Sequence, residues 1–573
     1  TSNKKLYMMN ASLKWQAADW LNVVGRVNLD NSDYRNKNEK SASTLTTFCG
    51  VSGGFEDAMR QERSLYADFL ANIDKTFGDF HLTANVGASI YHTSMDQLYI
   101  AGDLVIPNFF QINNINFSAN YKPDPTGYED EIQSIFASAE LSWKNQLYLT
   151  VTGRNDWDSK LAFSKQKSFF YPSVGLSALL SEMVKLPEVI SYAKIRGSYT
   201  VVASSFDRFL TNPGYEYNSQ THNWANPTVY PMDNMKPEKT KSWEIGLNLK
   251  FWGNRFNLDA TYYRSNTLNQ TFKVDIPSSS GYKQAIVQAG NVQNQGLELA
   301  LGFNDKWAGF GWSSNATFTL NRNKVKRLAS GSVNPVTGEA IQMDEMNVGW
   351  LGKENVAPRV ILTEGGSMTD IYVYNQLTKD NNGNIKVDQN GNLGITSSNT
   401  PVKVGNLDAD FNLGWTNHFT YKGIDLGVVL SARVGGLAYS ATQGILDYYG
   451  VSGTSATARD NGGIPINNGK VNAQKYYQTI GTGEGGYGRY YLYSATNVRL
   501  QELSLNYTLP KRWFKNVANV TLGIVGRNLW MIYCKAPFDP ELSASTSSNY
   551  YMNVDYFMQP SLRNFGFNVK VQF

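Results

Sequence analysis

The sequence predicts an all-β fold, an antiparallel transmembrane β-barrel, and three observations lead to this prediction. Apolar and polar residues alternate over many segments of about ten residues, which is typical of strands with one face in lipid. Short turns bracketed by aromatic residues alternate with long loops rich in Gly, Asn, Ser and Asp. The last segment is itself an alternating row that ends on an aromatic residue.

The composition excludes several other classes of protein. Hydrophobic residues make up 42% of the chain and the mean hydropathy is −0.38, which is too polar for a helical membrane protein. No apolar stretch approaches the roughly 20 residues that a spanning helix needs. The net charge of +4 comes without a basic run, so no nucleic-acid partner is expected. Cys49 and Cys534 are too few for a disulfide framework, and whether they pair is left open.

The period-two pattern continues from one end of the chain to the other. Its clearest rows are Tyr7–Trp15, Leu21–Leu29, Phe80–Ile90, Trp243–Phe251, Leu297–Phe303 and Leu407–Trp415. No long amphipathic helix is evident. Soluble sandwiches, propellers and β-helices also show alternation, but their long loops rarely all fall on one side. The position of the long loops on one side therefore favours a barrel.

The connections allow the strands to be counted. Eight short turns are expected at Trp15–Trp20, Phe77–Phe80, Trp143–Leu147, Ser181–Ser191, Trp252–Phe256, Trp307–Phe310, Tyr421–Ile424 and Pro510–Trp513. Long loops are expected at 31–63, 92–130, 203–240, 265–291, 327–405, 435–493 and 534–560. These turns and the terminal strand imply about 17 strands, whereas a barrel with both ends in the periplasm needs an even number. Further strands are therefore expected upstream of Thr1.

The terminal strand also suggests a role in assembly. Its alternate residues are apolar and it ends on an aromatic ring, as in Phe565, Phe567, Val569, Val571 and Phe573. This row resembles the terminal signal by which the barrel-assembly machinery recognises its clients.

Several segments resemble the SusC/RagA family of TonB-dependent outer-membrane transporters of Bacteroidetes. The motifs are GRNDWDSKL at Gly153–Leu161, FFYPSVGLSALLSE at Phe169–Glu182, KIRGSYTVVAS at Lys194–Ser204, MKPEKTKSWEIGL at Met235–Leu247, GNVQNQGLELAL at Gly290–Leu301, RLQELSLNYTLP at Arg499–Pro510, VGRNLW at Val525–Trp530 and DPELS at Asp539–Ser543. They follow in order from about residue 150 to the end, and the earlier strands are similar in style.

The resemblance implies a barrel of about 22 strands in the bacterial outer membrane. Residues 1–573 would be its C-terminal portion, without the plug domain and the first strands. The complete protein would import a nutrient, an oligosaccharide or otherwise a peptide. It would work with a SusD-like surface lipoprotein and with the TonB complex, which acts through the missing N-terminal region. The alternative is a self-contained porin or adhesin barrel of about 16–18 strands without energy coupling.

No catalytic residue, cofactor or metal site is expected, and the chain is not predicted to be an enzyme. Asp156 and Asp158 could be mistaken for paired carboxylates, but Asp156 and Arg154 are expected to hold contacts on the lumenal face. Asp380–Asn384 and Asp388–Asn392 lack the glycine that an EF-hand loop needs, so they are interpreted as ordinary turns. The four histidines lack zinc-ligand spacing.

Ligand contacts are expected from aromatic residues in the long loops. The candidates are Tyr215, Tyr217, Trp224, Tyr230, Tyr448, Tyr449, Tyr490 and Tyr491, with Tyr439, Tyr487, Tyr550 and Tyr551 in the same clusters. Aromatic rings stack on the C–H face of a pyranose, and neighbouring amides bind its hydroxyl groups. The other possibility is that these rings pack the loops together or pack against a lipoprotein lid.

Overall fold

Seventeen long strands form one antiparallel meander in which each strand pairs with the next along the chain. The strands are β1 (Ser2–Ala18), β2 (Leu21–Lys40), β3 (Gly54–Phe77), β4 (Phe80–Asp103), β5 (Asp124–Trp143), β6 (Leu147–Asp158), β7 (Phe169–Leu179), β8 (Ile190–Ser204), β9 (Glu238–Phe251), β10 (Phe256–Asp275), β11 (Gln284–Trp307), β12 (Phe310–Arg327), β13 (Phe411–Tyr421), β14 (Ile424–Val434), β15 (Asn497–Thr508), β16 (Asn519–Cys534) and β17 (Asn564–Gln572). The predicted fold class and the strand count are thereby confirmed.

The computed structural model describes residues 1–117, 123–212, 214–218, 223–230, 235–275, 281–328, 332–333, 338–341, 343, 345–351, 357–481, 486–542 and 553–573. In these described ranges the connections contain four short helices, α1 (Leu180–Met183), α2 (Ala441–Tyr448), α3 (Gly453–Asp460) and α4 (Ala473–Ile480). Single 3₁₀ turns lie at Ile112–Asn114, Ser159–Leu161, Gly488–Tyr491 and Lys511–Phe514. Among these residues, no helix combines the length and apolarity needed to cross a membrane.

Short strands also occur in the loops. They are Glu216–Asn218, Asn223–Ala225, Val229–Tyr230, Ser332–Val333, Ala340–Ile341, Glu345–Trp350, Arg359–Thr363, Asp370–Leu377, Ile395–Asn406, Leu437–Ser440, Ile464–Ile466, Gly469–Val471, Leu492–Ser494 and Val554–Asp555.

The two faces of the meander differ in polarity. On one face an apolar row crosses the first strands through Val23, Ala71 and Val86, and the Val86 side chain is 54% exposed. Exposed apolar surface of this extent is stable only against hydrocarbon. The opposite face is polar, and there Arg26 donates two hydrogen bonds to Asp68 at 2.9 and 2.7 Å. The apolar face is therefore the lipid face and the polar face lines the lumen.

The eight predicted short turns connect successive strands as expected, and aromatic rings cluster beside them. The ring centroids of Phe77 and Phe80 are 5.9 Å apart, and those of Trp307 and Phe310 are 6.4 Å apart. A Trp ring such as that of Trp307 has an apolar body and a polar N–H group, so it is stable at the boundary between hydrocarbon and water.

The strands continue further into the long-loop side than predicted. The expected loop 31–63 is strand up to Lys40 and again from Gly54, and the expected loops 92–130 and 265–291 are likewise partly strand. The boundary was wrong because both faces of a strand that has left the membrane meet water, so polarity no longer alternates although pairing continues. A further connection, 159–168, was not predicted as a loop.

The predicted alternating row Leu407–Trp415 is wrong in its first part, because only the residues from Phe411 onward form a strand. Strand β13 begins only at Phe411, whereas Leu407 is 1% exposed and belongs to a core formed by the loops. Alternation alone could not separate a lipid-facing leucine from one buried in a loop.

The two ends of the meander are not paired with each other within the described part of the chain. β1 pairs with β2, and β17 pairs with β16. Cys49 and Cys534 are free thiols, so the possibility that they pair is excluded in this structure.

Charge on the lipid face should destabilise the barrel. Val151 lies on that face between Ala139 and Val174 and is 47% exposed. We expect Val151→Arg to lower the free energy of unfolding by about 2–4 kcal/mol in urea titrations of the lipid-reconstituted protein. Thr152→Arg, on the lumenal face, is the control and should lower the free energy of unfolding much less. Equal effects of the two variants would contradict the assignment of faces.

Candidate ligand-binding surface

Three long loops, which connect β12 to β13, β14 to β15 and β16 to β17, share one apolar core. Leu407 comes from the first loop, Tyr439 and Tyr491 from the second, and Val554 from the third, and none is more than 1% exposed. Strands from the second and third loops also join in one small sheet. Each large side chain buried in this way contributes about 1.5–3 kcal/mol. The three loops therefore form a single folded layer.

Asp447, near the end of α2, is 2% exposed and lies at the centre of a hydrogen-bond network in this layer. Its Oδ1 accepts hydrogen bonds from the Gln443 amide at 2.8 Å and from the Thr454 hydroxyl at 2.9 Å, and the Ser452 hydroxyl also donates to it. Its Oδ2 accepts from the Tyr491 hydroxyl at 3.1 Å. A buried carboxylate is stable only when it is satisfied in this way, so the network holds α2, α3 and the Tyr491 segment together.

Tyrosines around this carboxylate are held in the neutral form. Burial, together with the nearby Asp447, raises the pKa of Tyr491 and raises the pKa of Tyr493 to about 12. Both hydroxyl groups therefore remain donors at physiological pH.

A groove with a volume of about 450 Å³ lies beside the network between α2, α3 and α4. Tyr448 and Tyr449 line it with ring centroids 5.1 Å apart in an edge-to-face arrangement, and Tyr449 is 69% exposed. Gln474 and Gln478 lie one helical turn apart on α4 and also line the groove, so their amides share one face. The volume of the groove is within the usual range of small-molecule pockets.

Arg459 adds a cation to the same groove. Its guanidinium donates a hydrogen bond to the Gly450 carbonyl at 2.7 Å, which fixes the side chain at the end of α3. The groove thus combines the exposed ring of Tyr449, the half-buried ring of Tyr448, two amides and one guanidinium. These groups recognise hydroxyl-rich or peptide-like ligands.

A second group of aromatic residues lies in the loop between β8 and β9. Tyr217 and Trp224 face each other across a two-stranded hairpin with ring centroids 5.1 Å apart, and they are 51% and 68% exposed. Tyr215 lines a groove of about 400 Å³. The ring of Tyr230 contacts that of Tyr282 edge-on at 5.1 Å. Tyr215, Tyr217 and Trp224 are exposed to solvent, whereas Tyr230 is half-buried.

The predicted aromatic residues therefore do not share one role. Tyr491 and Tyr439 are fully buried, so we correct their assignment from ligand contacts to core residues. Tyr490 is 42% exposed and contacts the ring of Tyr476, while Tyr487 packs against a loop core. Tyr550 and Tyr551 lie outside the described residues.

The two groups line different grooves, Tyr215 one of them and Tyr448 and Tyr449 the other. The sequence interpretation missed Gln474, Gln478 and Arg459. A signal for the first two was present in the helical spacing of the amides in AQKYYQTI, but a chain of strands gave little reason to look for a helix.

The DPELS motif anchors the last long loop to the barrel. Arg499 on β15 contacts Asp539 at 2.8 Å and Glu541 at 3.3 Å, and its side chain is only 6% exposed. Although burial acts in the opposite direction, the hydrogen bonds from Arg499 hold the pKa of Asp539 below its usual range. The ion pairs of Arg499 therefore fix the loop between β16 and β17 to the end of β15.

The acidic turns have the predicted structure. The Asp380 carboxylate accepts hydrogen bonds from the backbone N–H groups of Asn382 and Asn384 at 2.8 and 2.9 Å. Asp388 repeats this arrangement, and the backbone hydrogen bonds lower the pKa of both carboxyl groups. Asx turns of this kind satisfy the carboxylate within the loop itself.

Asp156 also has a structural role, as predicted. Its carboxylate accepts hydrogen bonds from the Arg154 guanidinium at 2.7 Å and from the Tyr171 hydroxyl at 2.6 Å. Within the described residues, no three His, Cys, Asp or Glu side chains are placed to hold a metal ion. His81, His92 and His418 are partly exposed beside single carboxylates.

Comparison with known proteins identifies the family. Residues 1–354 match the family model described as TonB dependent receptor-like, beta-barrel. The chain belongs to this family. It is 24% identical over 570 residues to TonB-dependent receptor P3 of Formosa agariphila, covering 93% of this chain and 54% of that protein. It is 25% identical over 452 residues to TonB-dependent receptor SusC of Bacteroides thetaiotaomicron, covering 74% and 43%.

Solved structures agree with this assignment. The RagAB peptide importer in its open-open state aligns with a TM-score of 0.80 at 16% identity, covering 100% of this chain and 61% of that one. The resemblance to the SusC/RagA type and the outer-membrane location are thereby confirmed. The chain spans about half the length of the curated relatives it matches.

Removing the central carboxylate should loosen the loop layer. Asp447→Ala leaves the buried Tyr491 hydroxyl without its acceptor, a cost of about 1–3 kcal/mol for an unsatisfied group. We expect faster hydrogen exchange in 437–481 and 486–494, with the barrel strands unchanged. Asp460→Ala, at an exposed position ending α3, is the control. Equal protection in both variants would contradict the role of Asp447.

Proposed function

We propose that this chain is the barrel portion of an outer-membrane importer whose loop layer binds oligosaccharides before they enter the lumen. The observation that supports this best is the groove between α2, α3 and α4. Tyr448 and Tyr449 offer aromatic faces, and Gln474 and Gln478 offer amides that both donate and accept hydrogen bonds. Sugar rings present C–H faces and hydroxyl groups that match these two kinds of contact.

A peptide is the second candidate ligand. Arg459 is placed to hold a peptide carboxylate, and the structure of the RagAB peptide importer shares this fold. The predominance of neutral polar groups and rings over charges in the groove favours a neutral sugar chain.

The complete protein is proposed to be energised by the TonB complex through an N-terminal region outside this chain. The names of the relatives P3 and SusC support this proposal. A SusD-like surface lipoprotein is proposed to cover the loop layer, where exposed rings such as Trp224 and Tyr449 would meet it or the ligand. In this proposal no residue of the chain performs catalysis.

We further propose that residues 1–573 form the C-terminal portion of one barrel with about 22 strands. Within the described residues the outer edges of β1 and β17 have no strand partner, which supports this proposal, because open backbone edges in hydrocarbon cost several kcal/mol per unsatisfied group. In a meander of 17 strands the first and last also run in the same direction, which disfavours a self-contained porin or adhesin. The row of Phe565, Phe567, Val569 and Val571 on β17, with Phe573 directly after it, is exposed and is proposed to serve as the assembly signal.

The coding sequence upstream of Thr1 tests the barrel proposal directly. We expect it to encode a plug-like domain followed by about five further alternating strands. A signal peptide or a stop codon immediately upstream would instead support the self-contained porin or adhesin.

Calorimetry on the full-length transporter in detergent would test the ligand proposal, using panels of neutral oligosaccharides and of peptides. Tyr448→Ala should weaken binding of the best oligosaccharide about tenfold, through loss of stacking worth about 1.4 kcal/mol. Trp224→Ala tests the second aromatic group in the same way. Tyr556→Ala removes an exposed ring outside both grooves and is the control. If neither loop variant changes the affinity, or if only peptides bind, the oligosaccharide proposal fails.

A further inference from the structure

The lipid face of β1–β6 carries two grooves, one above the other. The lower groove has a volume of about 1020 Å³ and is lined mainly by apolar residues. The upper groove, nearer the long loops, has a volume of about 830 Å³ and is lined largely by polar residues. The alternate residues that line both belong to the lipid face, because they continue the apolar rows of β1 and β2.

Small residues form the floor of the apolar groove. Gly25 and Ala67 lie between larger side chains, and a Cβ added at Gly25 would meet nothing within 4 Å. Leu13 and Phe69 beside them are 76% and 56% exposed. The result is a hollow in the outer wall that protein atoms do not fill and that an acyl chain would fit.

The depth of the two grooves matches one leaflet of the membrane. Val27 lines the apolar groove and Asp33 lines the polar groove, both on β2. Six residues of strand span roughly 20 Å, or about 15 Å along the membrane normal after the usual tilt. The polar groove therefore lies at headgroup level on the long-loop side, directly above the apolar groove.

The polar groove carries charges of both signs. Lys5 and Arg35 line it together with Asp33 and Asp96, and Gln61 donates a hydrogen bond to Asp33 at 2.9 Å. Amines, amides and carboxylates in such a mixture bind hydroxyl groups well, whereas the two carboxylates disfavour a headgroup that is only anionic.

Arg63 lies between the two grooves on the same face of β3. Its guanidinium donates hydrogen bonds to the side-chain amide oxygens of Gln61 at 2.9 Å and Asn31 at 3.3 Å. Among the ion pairs of the described residues it has no carboxylate partner, and it is exposed. A guanidinium at the junction of chain and headgroup is suited to a phosphate.

We propose that this face binds a phosphorylated glycolipid of the outer leaflet. An acyl chain would occupy the apolar groove over Gly25, a phosphate would contact Arg63, and sugar units would lie in the polar groove beside Lys5 and Gln61. The polar groove crosses five strands, from Asn3 on β1 to Gly127 on β5, and is larger than a phospholipid headgroup requires. The order of groups along the wall follows the order of groups in such a lipid.

The full-length transporter, delipidated in mild detergent, can be titrated with rough lipopolysaccharide and followed by native mass spectrometry. We expect one tightly held glycolipid per protein. Gly25→Leu, which fills the hollow, and Arg63→Gln, which removes the cation, should each weaken binding at least about fivefold. Removing the phosphate from the glycolipid should weaken its binding to the wild-type protein. It should not weaken binding to the Arg63→Gln variant, which lacks the guanidinium that would contact the phosphate.

Matched controls lie elsewhere on the lipid face. Gly197→Leu fills a lipid-facing position between Leu176 and Ile245, and Arg264→Gln removes a guanidinium that also contacts an amide, that of Gln293. Both controls should bind as wild type does, and heat-modifiable migration on gels should show that every variant is folded. Unchanged binding by the folded groove variants would overturn the proposal. Equal loss in the controls, or equal affinity for phosphatidylethanolamine and phosphatidylglycerol, would also overturn it.

Discussion

A strand inside a bilayer can satisfy its backbone N–H and C=O groups only by pairing with neighbouring strands, and this requirement governs the rest of the molecule. Each of the seventeen long strands is paired with its neighbours in sequence, so each turn at the membrane boundary can be short. Pairing leaves the side chains to divide between two faces. Apolar rows such as the one through Val86 face lipid, and polar pairs such as Arg26 with Asp68 face the lumen.

Outside the hydrocarbon the backbone need not pair with other strands, since water can satisfy its N–H and C=O groups. The strands still continue for several residues, but the loops above them fold as soluble proteins do. They bury Tyr439 and Tyr491 in a common core and satisfy the buried Asp447 with hydroxyl and amide donors. The exposed groove at Tyr448 and Tyr449 depends on that core, because α2 is positioned by the Asp447 network. The proposed ligand surface therefore belongs to the folded loop layer, which lies in water above the membrane-spanning strands.

The outer wall itself is not uniform. Where Gly25 and Ala67 replace larger side chains, the lipid face is hollow, and where β2 and β3 leave the membrane it is charged on its outer side. A strand that extends beyond the bilayer therefore has two distinct environments on one face. The same alternation that places Val27 in hydrocarbon places Asp33 and Arg35 at headgroup level.

The alternating pattern of the sequence was enough to predict the membrane-spanning strands, the short turns and the face that meets lipid. The membrane imposes this period-two polarity on every spanning residue. The sequence also identified the family through ordered motifs. It could not distinguish Leu407, buried among loops, from a leucine facing lipid, nor the buried Tyr491 from the exposed Tyr449. Those outcomes depend on which distant loops meet, and only the tertiary structure brings Asp447, Tyr491 and Val554 into one layer. Alternation is a property of neighbours along the chain, whereas burial is decided by segments that are far apart in it.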